Sequence, residues 1–239
     1  INPRTLRHSG MRLTAARRNA FALLFCTAWY RIIPRLVSLR NRAVMARPTE
    51  FERTRALEDA MKLFWVRGYA ATSLPDLLAA MGIARSSFYA SFKTKRALFI
   101  ECLELFGDRT LSIVAKQAAN TPAIALPRAF FEATLLHVSR RKAHQGCMMV
   151  NTVLELADVD RELNELATKK LDAIESAFAQ AFEQAQRSGQ LDAQRNAQDL
   201  AGLVMIINLG LRVQSRKKQS LQQLSATIES SLSMLGLAA

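Results

Sequence analysis

Glycine, proline and cysteine are all scarce in this chain of 239 residues, which contains 9 Gly, 6 Pro and 3 Cys. With so few residues that interrupt helices or form tight turns, long helices are favoured over a sheet of many short strands. Three cysteines cannot all pair, and their spacing does not resemble a disulfide framework, so a reducing cytoplasm is the simpler location. We therefore predict an all-α, cytoplasmic protein.

Long hydrophobic runs are also missing. The apolar stretch from Ala20 to Tyr30 is about half the length of a membrane-spanning helix, and Arg31 follows it directly. Hydrophobic residues make up 50% of the chain and charged residues 22%, which is typical of a globular protein and excludes general disorder. We expect a folded protein with no membrane partner.

Sequence patterns of cofactor and metal chemistry are absent as well. The chain contains neither a glycine-rich dinucleotide fingerprint nor a phosphate-binding loop. His144 and Cys147 could share one helical face, but a zinc site needs three or four ligands and no second His or Cys pair lies near them. The sequence predicts no catalytic residue, no metal site and no cofactor, so an enzyme is the weaker class.

Acidic residues are unevenly distributed, and this locates the positive charge. The net charge is +13, with nine arginines and no acid in residues 1–44, nine bases against five acids in residues 45–100, and fifteen of each in residues 101–239. A basic N-terminal part followed by a neutral remainder indicates an anionic partner for the former, with nucleic acid first among the candidates.

The arginine-rich leader, residues 1–46, differs in character from the rest of the chain. A new pattern begins at Met45, and we interpret the leader as a disordered or non-native segment, such as an upstream reading frame or a cloning remnant. The alternative is a basic arm that adds nonspecific affinity for DNA or for a membrane surface.

The next segment has the pattern of two helices separated by a short link. Apolar residues at spacings of three and four predict a first helix over residues 52–67, which Gly68 ends. Ser73, with Asp76 three residues later, predicts a capping box for a short second helix. Gly82 ends that second helix.

A third helix is predicted over Arg85–Phe92, with Phe88 and Phe92 facing inward. A helix, a glycine-containing turn and a second short helix form a helix-turn-helix. The sequence therefore predicts a DNA-binding unit in which this third helix is the recognition helix.

Side chains on a recognition helix must be small or able to form hydrogen bonds if the helix is to approach the floor of the major groove. An arginine can bond guanine or phosphate, and hydroxyl groups can bond base edges or the backbone. We expect seven residues to contact DNA, namely Thr72, Arg85, Ser86, Ser87, Tyr89, Ser91 and Lys95. Taken singly, each also has a plain structural interpretation, as a helix cap, a packing residue or a solvated charge.

The stretch ALEDAMKLFWVRGYAATSLPDLLAAMGIARSSFYASFKTKRALF resembles the DNA-binding domain of TetR-family transcriptional regulators. The motifs that carry the resemblance are F..RGY..TS and MGIARSSFYASFKTK, and the match covers residues 52 to about 100. The resemblance implies that the arginine and serines of the expected set lie on the recognition helix and that Thr72, Tyr89 and Lys95 approach phosphates. Ala90 and Ser91 replace a larger, often His-containing pair that is frequent in the family.

Beyond residue 94 the apolar pattern keeps a helical period, and no segment alternates at period two for long. The predicted helices cover residues 95–118, 122–140, 147–157, 161–187, 196–213 and 221–237. The segment HQGCMMVNTVLELA also resembles a block of the same family. We expect a three-helix helix-turn-helix DNA-binding domain at residues 47–100 and a helical effector-binding and dimerisation domain at residues 101–239.

Apolar stripes on the last two predicted helices have two interpretations. They could be intramolecular core, but terminal helices this apolar commonly seek a partner. The family resemblance also implies dimerisation, and a two-fold symmetric interface requires a palindromic operator. We expect a homodimer whose interface residues are Leu200, Leu203, Val204, Ile207, Leu211, Leu221, Leu224, Ile228 and Leu235.

Large, soft side chains concentrate in the part of the chain between the basic segment and these stripes. Such residues usually fill a core, but a regulator of this kind needs a cavity, and ligand pockets are mostly apolar with a few polar groups. We expect an apolar or aromatic effector rather than a phosphorylated or highly charged metabolite. The expected pocket residues are Phe106, Phe130, Phe131, Leu135, His137, Met148, Met149, Asn151 and Phe178.

Together these patterns predict a sequence-specific DNA-binding transcriptional regulator. We expect a repressor that a small-molecule effector, bound in the C-terminal domain, releases from palindromic operator DNA. The alternative is a helical small-molecule-binding module that binds DNA only weakly or nonspecifically.

Overall fold

The computed structural model describes residues 50–217 and 219–237, so the predictions about the leader lie outside the described residues. Within these two ranges all regular secondary structure is helical, which confirms the predicted all-α class. The α-helices are α1 (Glu50–Arg67), α2 (Leu74–Met81), α3 (Arg85–Phe92), α4 (Lys95–Asn120), α5 (Leu126–Phe131), α6 (Arg140–Ala143), α7 (Met148–Leu156), α8 (Arg161–Arg187), α9 (Ala197–Arg216) and α10 (Leu221–Met234).

The helix predicted over residues 122–140 is the main difference between expectation and structure. It is divided into a 3₁₀ turn at Ala123–Ala125, α5, and a π-helical turn at Glu132–Leu136, and the chain then turns before α6. The π turn is marked by the N–H of His137, which donates to the carbonyl of Glu132 at 2.8 Å, five residues back. A π turn breaks the regular hydrogen-bond ladder and depends on tertiary contacts, so apolar periodicity does not reveal it.

Two clusters of buried apolar side chains stabilise the described chain. The first cluster lies among α1 to α4 and includes Phe64, Phe88 and Phe99, with side chains of α7 and α8 closing it. The second cluster lies among α4, α5 and α7 to α10 and includes Phe130 and Phe178. Helix α4 contributes side chains to both clusters. The predicted domain boundary at residue 100 falls inside this helix, which is continuous from Lys95 to Asn120.

Ion pairs join the start of α4 to the start of α8. The guanidinium of Arg96 donates to Asp160 at 2.9 Å and to Glu162 at 2.7 Å. Asp160 also caps α8 by accepting from the backbone N–H of Leu163 at 3.1 Å. The bond from Arg96 is the main reason why the pKa of Asp160 is lowered. One arginine thus fixes the end of the helix-turn-helix segment against the longest helix of the fold.

Candidate functional site

The start of α2 is held by the predicted capping box. The hydroxyl of Ser73 accepts from the backbone N–H of Asp76 at 3.3 Å, and the carboxylate of Asp76 accepts from the backbone N–H of Ser73 at 3.1 Å. Arg67 adds an ion pair to the same carboxylate at 2.9 Å. The hydrogen bonds from Ser73, with this guanidinium, lower the pKa of Asp76 to about 2. The end of α1 and the start of α2 are therefore joined by charge.

The turn between α2 and α3 also follows the sequence prediction. Gly82 ends α2 in the left-handed conformation, at φ 66°, where glycine has no steric penalty. Phe88 and Phe92 are buried, as predicted, so α3 is anchored by one face. The N-cap residue Ala84 makes no side-chain cap, and the first backbone N–H groups of α3 therefore remain available to another acceptor.

The opposite face of α3 carries the residues predicted to contact DNA. Arg85, Ser86 and Tyr89 are exposed, whereas Ser87 and Ser91 are half-buried. One short helix thus presents a guanidinium, a phenol and hydroxyl groups beside its own N-terminus. Donors of this kind can bond phosphate oxygens and the edges of bases.

Thr72 is a correction to the predicted set. The structure buries this residue completely, and its hydroxyl donates to the carbonyl of Gly68 at 2.6 Å. A hydroxyl that is buried and already donates within the α1–α2 turn cannot also bond an external phosphate. The hydroxyl that the sequence predicts to contact DNA is therefore used within the turn.

Lys95 lies at the first position of α4, directly after Thr94, whose hydroxyl accepts from the N–H of Ala97 at 3.0 Å. Its ammonium lies 4.4 Å from the centre of the Tyr69 ring, in a cation–π contact. Partial burial lowers the pKa of Lys95, and the nearby carboxylate of Glu155 opposes this shift. The lysine is thus held against the α1–α2 turn instead of extending freely into solvent.

Glu155 of α7 is a positioning residue that the sequence analysis missed. Its carboxylate accepts from the backbone N–H of Tyr69 at 3.0 Å and from that of Ala70 at 2.7 Å. Gly68 makes room for it, because a Cβ at that position would lie 2.6 Å from Oε2 of Glu155. The contact joins the turn before α2 to a helix 86 residues further along, and no local pattern reports such a pair.

Two cavities adjoin α1, and the inner one is also lined by α4. The inner cavity, of about 120 Å³, is lined by Met61, Trp65, Phe106, Arg109, Thr110, Ile113, Ala133, Thr134, Val138, Lys142, Gly146, Cys147 and Arg212. The outer cleft, of about 550 Å³, is lined by Trp65, Val66, Arg67, Gly68, Val150, Asn151, Leu154, Glu155, Arg212, Val213, Arg216 and Lys217. Trp65 and Arg212 belong to both.

The expected pocket residues lie in two kinds of surroundings. Phe106 lines the inner cavity and Asn151 lines the outer cleft, whereas His137 lines neither. The other six expected residues are packed in the intramolecular core, because large apolar side chains gain most when neighbours enclose them fully. These core residues are Phe130, Phe131, Leu135, Met148, Met149 and Phe178.

The expected dimer stripe is also mostly intramolecular core. Five of its nine residues are buried within the chain, namely Leu200, Val204, Leu211, Leu224 and Ile228. Three others, Ile207, Leu221 and Leu235, are half-buried, and Leu203 alone is exposed. Apolar side chains that do face solvent lie one step around α9, at Leu203, Ile206, Leu209 and Val213.

No cluster of three or more His, Cys, Asp or Glu side chains able to hold a metal ion occurs among the described residues. None of their helices is both long and apolar enough to span a membrane. Cys102 and Cys147 are free and buried. Burial raises the pKa of the Cys102 thiol, which disfavours a reactive thiolate there.

The structure joins a capped helix pair, which presents a short helix rich in hydrogen-bond donors, to a helical body with a cavity. This arrangement defines a helix-turn-helix DNA-binding regulator. Residues 56–102 match the family model described as bacterial regulatory proteins, tetR family. Residues 125–230 match the model of the tetracyclin repressor-like C-terminal domain. The chain therefore belongs to the TetR family of transcriptional regulators, as the sequence resemblance implied.

Individual relatives agree with this assignment. The chain is 29% identical over 183 residues to the HTH-type transcriptional repressor ComR of Escherichia coli (strain K12), a match that covers 74% of this chain and 86% of ComR. It is 26% identical over 195 residues to the HTH-type transcriptional regulator YezE of Bacillus subtilis (strain 168), covering 80% of this chain and all of YezE.

Solved structures show the same likeness. The fold resembles the TetR-family regulator CifR, solved as a cysteine mutant in complex with 26-base-pair operator DNA, with a TM-score of 0.72 and 26% identity. That match covers 79% of this chain and 98% of CifR. The chain is therefore a DNA-binding transcriptional regulator by family and by fold.

Proposed function

We propose that this regulator is a repressor that binds a palindromic operator through α3 and releases it when a small molecule occupies the inner cavity. The observation that carries the proposal is the position of Met61 and Trp65. Both lie on α1, the first helix of the DNA-binding unit, and both line the inner cavity. A ligand there would touch the unit that positions α3.

The proposed DNA contacts are the exposed and half-exposed members of the predicted set. Arg85 and Ser86, at the start of α3, are best placed for base edges, because the N-terminal part of a recognition helix enters the major groove. We assign Tyr89 and Lys95 to phosphates, and Ser87 and Ser91 to the flanks of the same surface. Residues 47–100 then form the DNA-binding domain, and residues 101–239 form the domain that binds the effector and the second copy.

Release of DNA follows from a population shift. A ligand that binds better to a conformation with wrongly spaced recognition helices lowers operator affinity by the ratio of its affinities for the two conformations. Trp65 packs edge-on against Phe106 of α4, with ring centroids 4.9 Å apart, and Glu155 holds the turn after α1. A shift of α1 against these contacts would reach α3 through the shared apolar cluster.

Dimerisation is proposed through the exposed apolar face of α9, comprising Leu203, Ile206, Leu209 and Val213. Gly210 lies beside this face, and a Cβ added there would meet no atom within 4 Å. A helical glycine costs about 0.5–1 kcal/mol relative to alanine, and close approach of a second helix would explain its use. A two-fold axis at this face would place two α3 helices on one palindromic site.

Selection of DNA from a random pool by the full chain tests the proposal. Two-fold symmetric sites should be enriched, and their affinity should exceed that for unrelated DNA by at least about 10³-fold. Uniform, sequence-independent binding would support the alternative, a helical binding module with weak DNA affinity. Because operator DNA of a bacterium lies in the cytoplasm, we also place the protein there.

A further inference from the structure

Arg212 of α9 is a buried cation whose partners are all neutral. The residue is 7% exposed. Its Nε donates to Oδ1 of Asn208 at 3.1 Å, its Nη1 to the carbonyl of Thr134 at 3.3 Å, and its Nη2 to the hydroxyl of Thr134 at 2.7 Å. No ion pair of the described residues includes it. A guanidinium removed from water is costly unless an anion compensates its charge.

The guanidinium of Arg212 is held in one orientation and has more N–H donors than these three hydrogen bonds use. A guanidinium has five N–H groups, and the three bonds to Asn208 and Thr134 leave two of them without a partner among the described residues. The hydroxyl of Thr134 donates to the carbonyl of Phe130 at 2.8 Å, so it meets Arg212 as an acceptor. Thr134 lies in the π turn, a conformation that is frequent at functional sites.

Trp65 provides a second buried donor. Its indole Nε1 is buried and has no hydrogen-bond partner among the described residues. Buried polar groups are nearly always paired, and a donor left unpaired is destabilising. Trp65 and Arg212 line the same two cavities, so a ligand in either cavity would lie beside both side chains.

Every charged side chain that the described residues contribute to the inner cavity is basic, whereas the outer cleft also contains Glu155. The part of the chain that forms the inner cavity contributes Arg109, Lys142 and Arg212 to its wall and no acidic residue. Arg109 is paired with Glu58, whereas the ammonium of Lys142 lies 5.8 Å from the centre of the Trp65 ring. Basic residues at the wall of a low-dielectric cavity raise the local concentration of anions.

The remaining walls limit the size and the polarity of the ligand. Phe106, Ile113 and Val138 give the inner cavity apolar surfaces, and its volume of about 120 Å³ is close to the roughly 150 Å³ of a cavity that binds benzene. Arg212 and Trp65 present one guanidinium and one indole N–H, whereas the ammonium of Lys142 is engaged with the face of the Trp65 ring. A planar carboxylate with two acceptor oxygens fits these two groups.

We propose that the inner cavity binds a small organic carboxylate, whose oxygens accept from Arg212 and from Nε1 of Trp65 while its apolar part packs against Phe106, Ile113 and Val138. This inference rests on the proposed function, because it names the chemical class of the effector. It also refines the sequence expectation of an apolar or aromatic effector by adding a single negative charge.

Calorimetry and thermal denaturation of the full chain at neutral pH test the proposal. The probes are benzoate, substituted benzoates and straight-chain carboxylates of four to eight carbons, each paired with its neutral amide. At least one acid should raise Tm by about 5–10 °C at 100 times its Kd, while its amide leaves Tm unchanged. Binding of no acid in the panel, or equal binding of acid and amide, would overturn the proposal.

Two variants connect binding to the named donors. Arg212→Met should abolish binding of the acid, and Trp65→Phe, which keeps an aromatic ring and removes only the N–H, should weaken it about 10-fold. The matched control is Arg187→Met, which removes a charge from an exposed position on α8 and should leave Kd unchanged. If Arg212→Met does not fold, Trp65→Phe decides, and unchanged acid affinity in that variant would refute the assignment.

Operator binding separates this inference from the proposed function. An acid that binds through Arg212 but leaves operator affinity unchanged would support the carboxylate site and contradict ligand-induced release. Release of operator by the neutral amides with no effect of the acids would support ligand-induced release and overturn the carboxylate class.

Discussion

Removing the carboxylate of Glu155 should destabilise the fold and weaken operator binding together. Its two oxygens accept from the backbone N–H groups of Tyr69 and Ala70 at 3.0 and 2.7 Å. A hydrogen bond to a charged group contributes about 1.5–3 kcal/mol, and water can replace the more exposed bond to Ala70. We therefore expect Glu155→Ala to lower the free energy of unfolding by about 2 kcal/mol, which corresponds to a decrease in Tm of about 4–8 °C.

The assay combines thermal denaturation with operator titration. A protein that loses about 2 kcal/mol from a typical stability of roughly 5–15 kcal/mol remains folded at 25 °C, so weaker operator binding there would reflect a displaced α1–α2 turn. The control is Glu104→Ala, an exposed glutamate of α4 that should change stability by less than about 0.5 kcal/mol. A Glu155→Ala protein as stable as the control would contradict the argument.

A double-mutant cycle with Gly68 tests the same contact by its geometry. Gly68→Ala is unfavourable for two reasons, because φ is +85° and because the new Cβ would lie 2.6 Å from Oε2 of Glu155. Removing Glu155 relieves only the second reason, so Gly68→Ala should cost less in the Glu155→Ala background than in the native chain. Additive effects of the two substitutions would indicate that the residues do not touch.

Three further predictions concern DNA readout, pH and assembly. Arg85→Ala should lose about 1–3 kcal/mol of operator affinity and relax the preference for particular bases. Lys95→Ala should instead weaken binding to all sequences and flatten the salt dependence by about one unit of slope. If gel shifts show equal losses for both variants on every sequence, Arg85 is a phosphate contact. Because the folded pKa of Asp76 is depressed to about 2, the stabilisation by its carboxylate is present above about pH 4 and is lost as the pH falls through 2. The Tm deficit of Asp76→Asn should therefore shrink as the pH falls towards 2, and a deficit as large at pH 2 as at neutral pH would exclude the charge as its cause. Ile206→Glu should yield monomers in light scattering. The control Val159→Glu, at an exposed apolar position outside α9, should stay dimeric. A dimeric Ile206→Glu protein would show that the interface lies elsewhere.

Local chemistry made the helix-turn-helix predictable. The Ser73–Asp76 capping box, the left-handed Gly82 and the inward-facing Phe88 each depend on residues within one or two turns of the chain. Where the determinants are that close in sequence, spacing alone indicates the conformation. The all-helical class and the family resemblance followed from the same short-range patterns.

Accessibility could not be predicted in the same way. Thr72 has the residue type and position of a phosphate contact, yet the fold turns its hydroxyl towards the carbonyl of Gly68. Val204 and Ile206 of α9 are both apolar, and only the packing of neighbouring helices decides that Val204 is buried and Ile206 is 65% exposed. An apolar stripe indicates which residues prefer burial. It does not indicate whether the residues that bury them belong to the same chain or to a partner.

The sequence by itself determined the helical class, the DNA-binding segment and the family, because these depend on periodicity and on caps and turns formed by neighbouring residues. Only the tertiary structure decided what meets across long separations. It brings Glu155 to the turn at Tyr69, and it places Arg212 against Thr134, 78 residues away, with Trp65 lining the same cavity. Such contacts arise from packing between distant helices, and packing depends on the shapes of all the helices together.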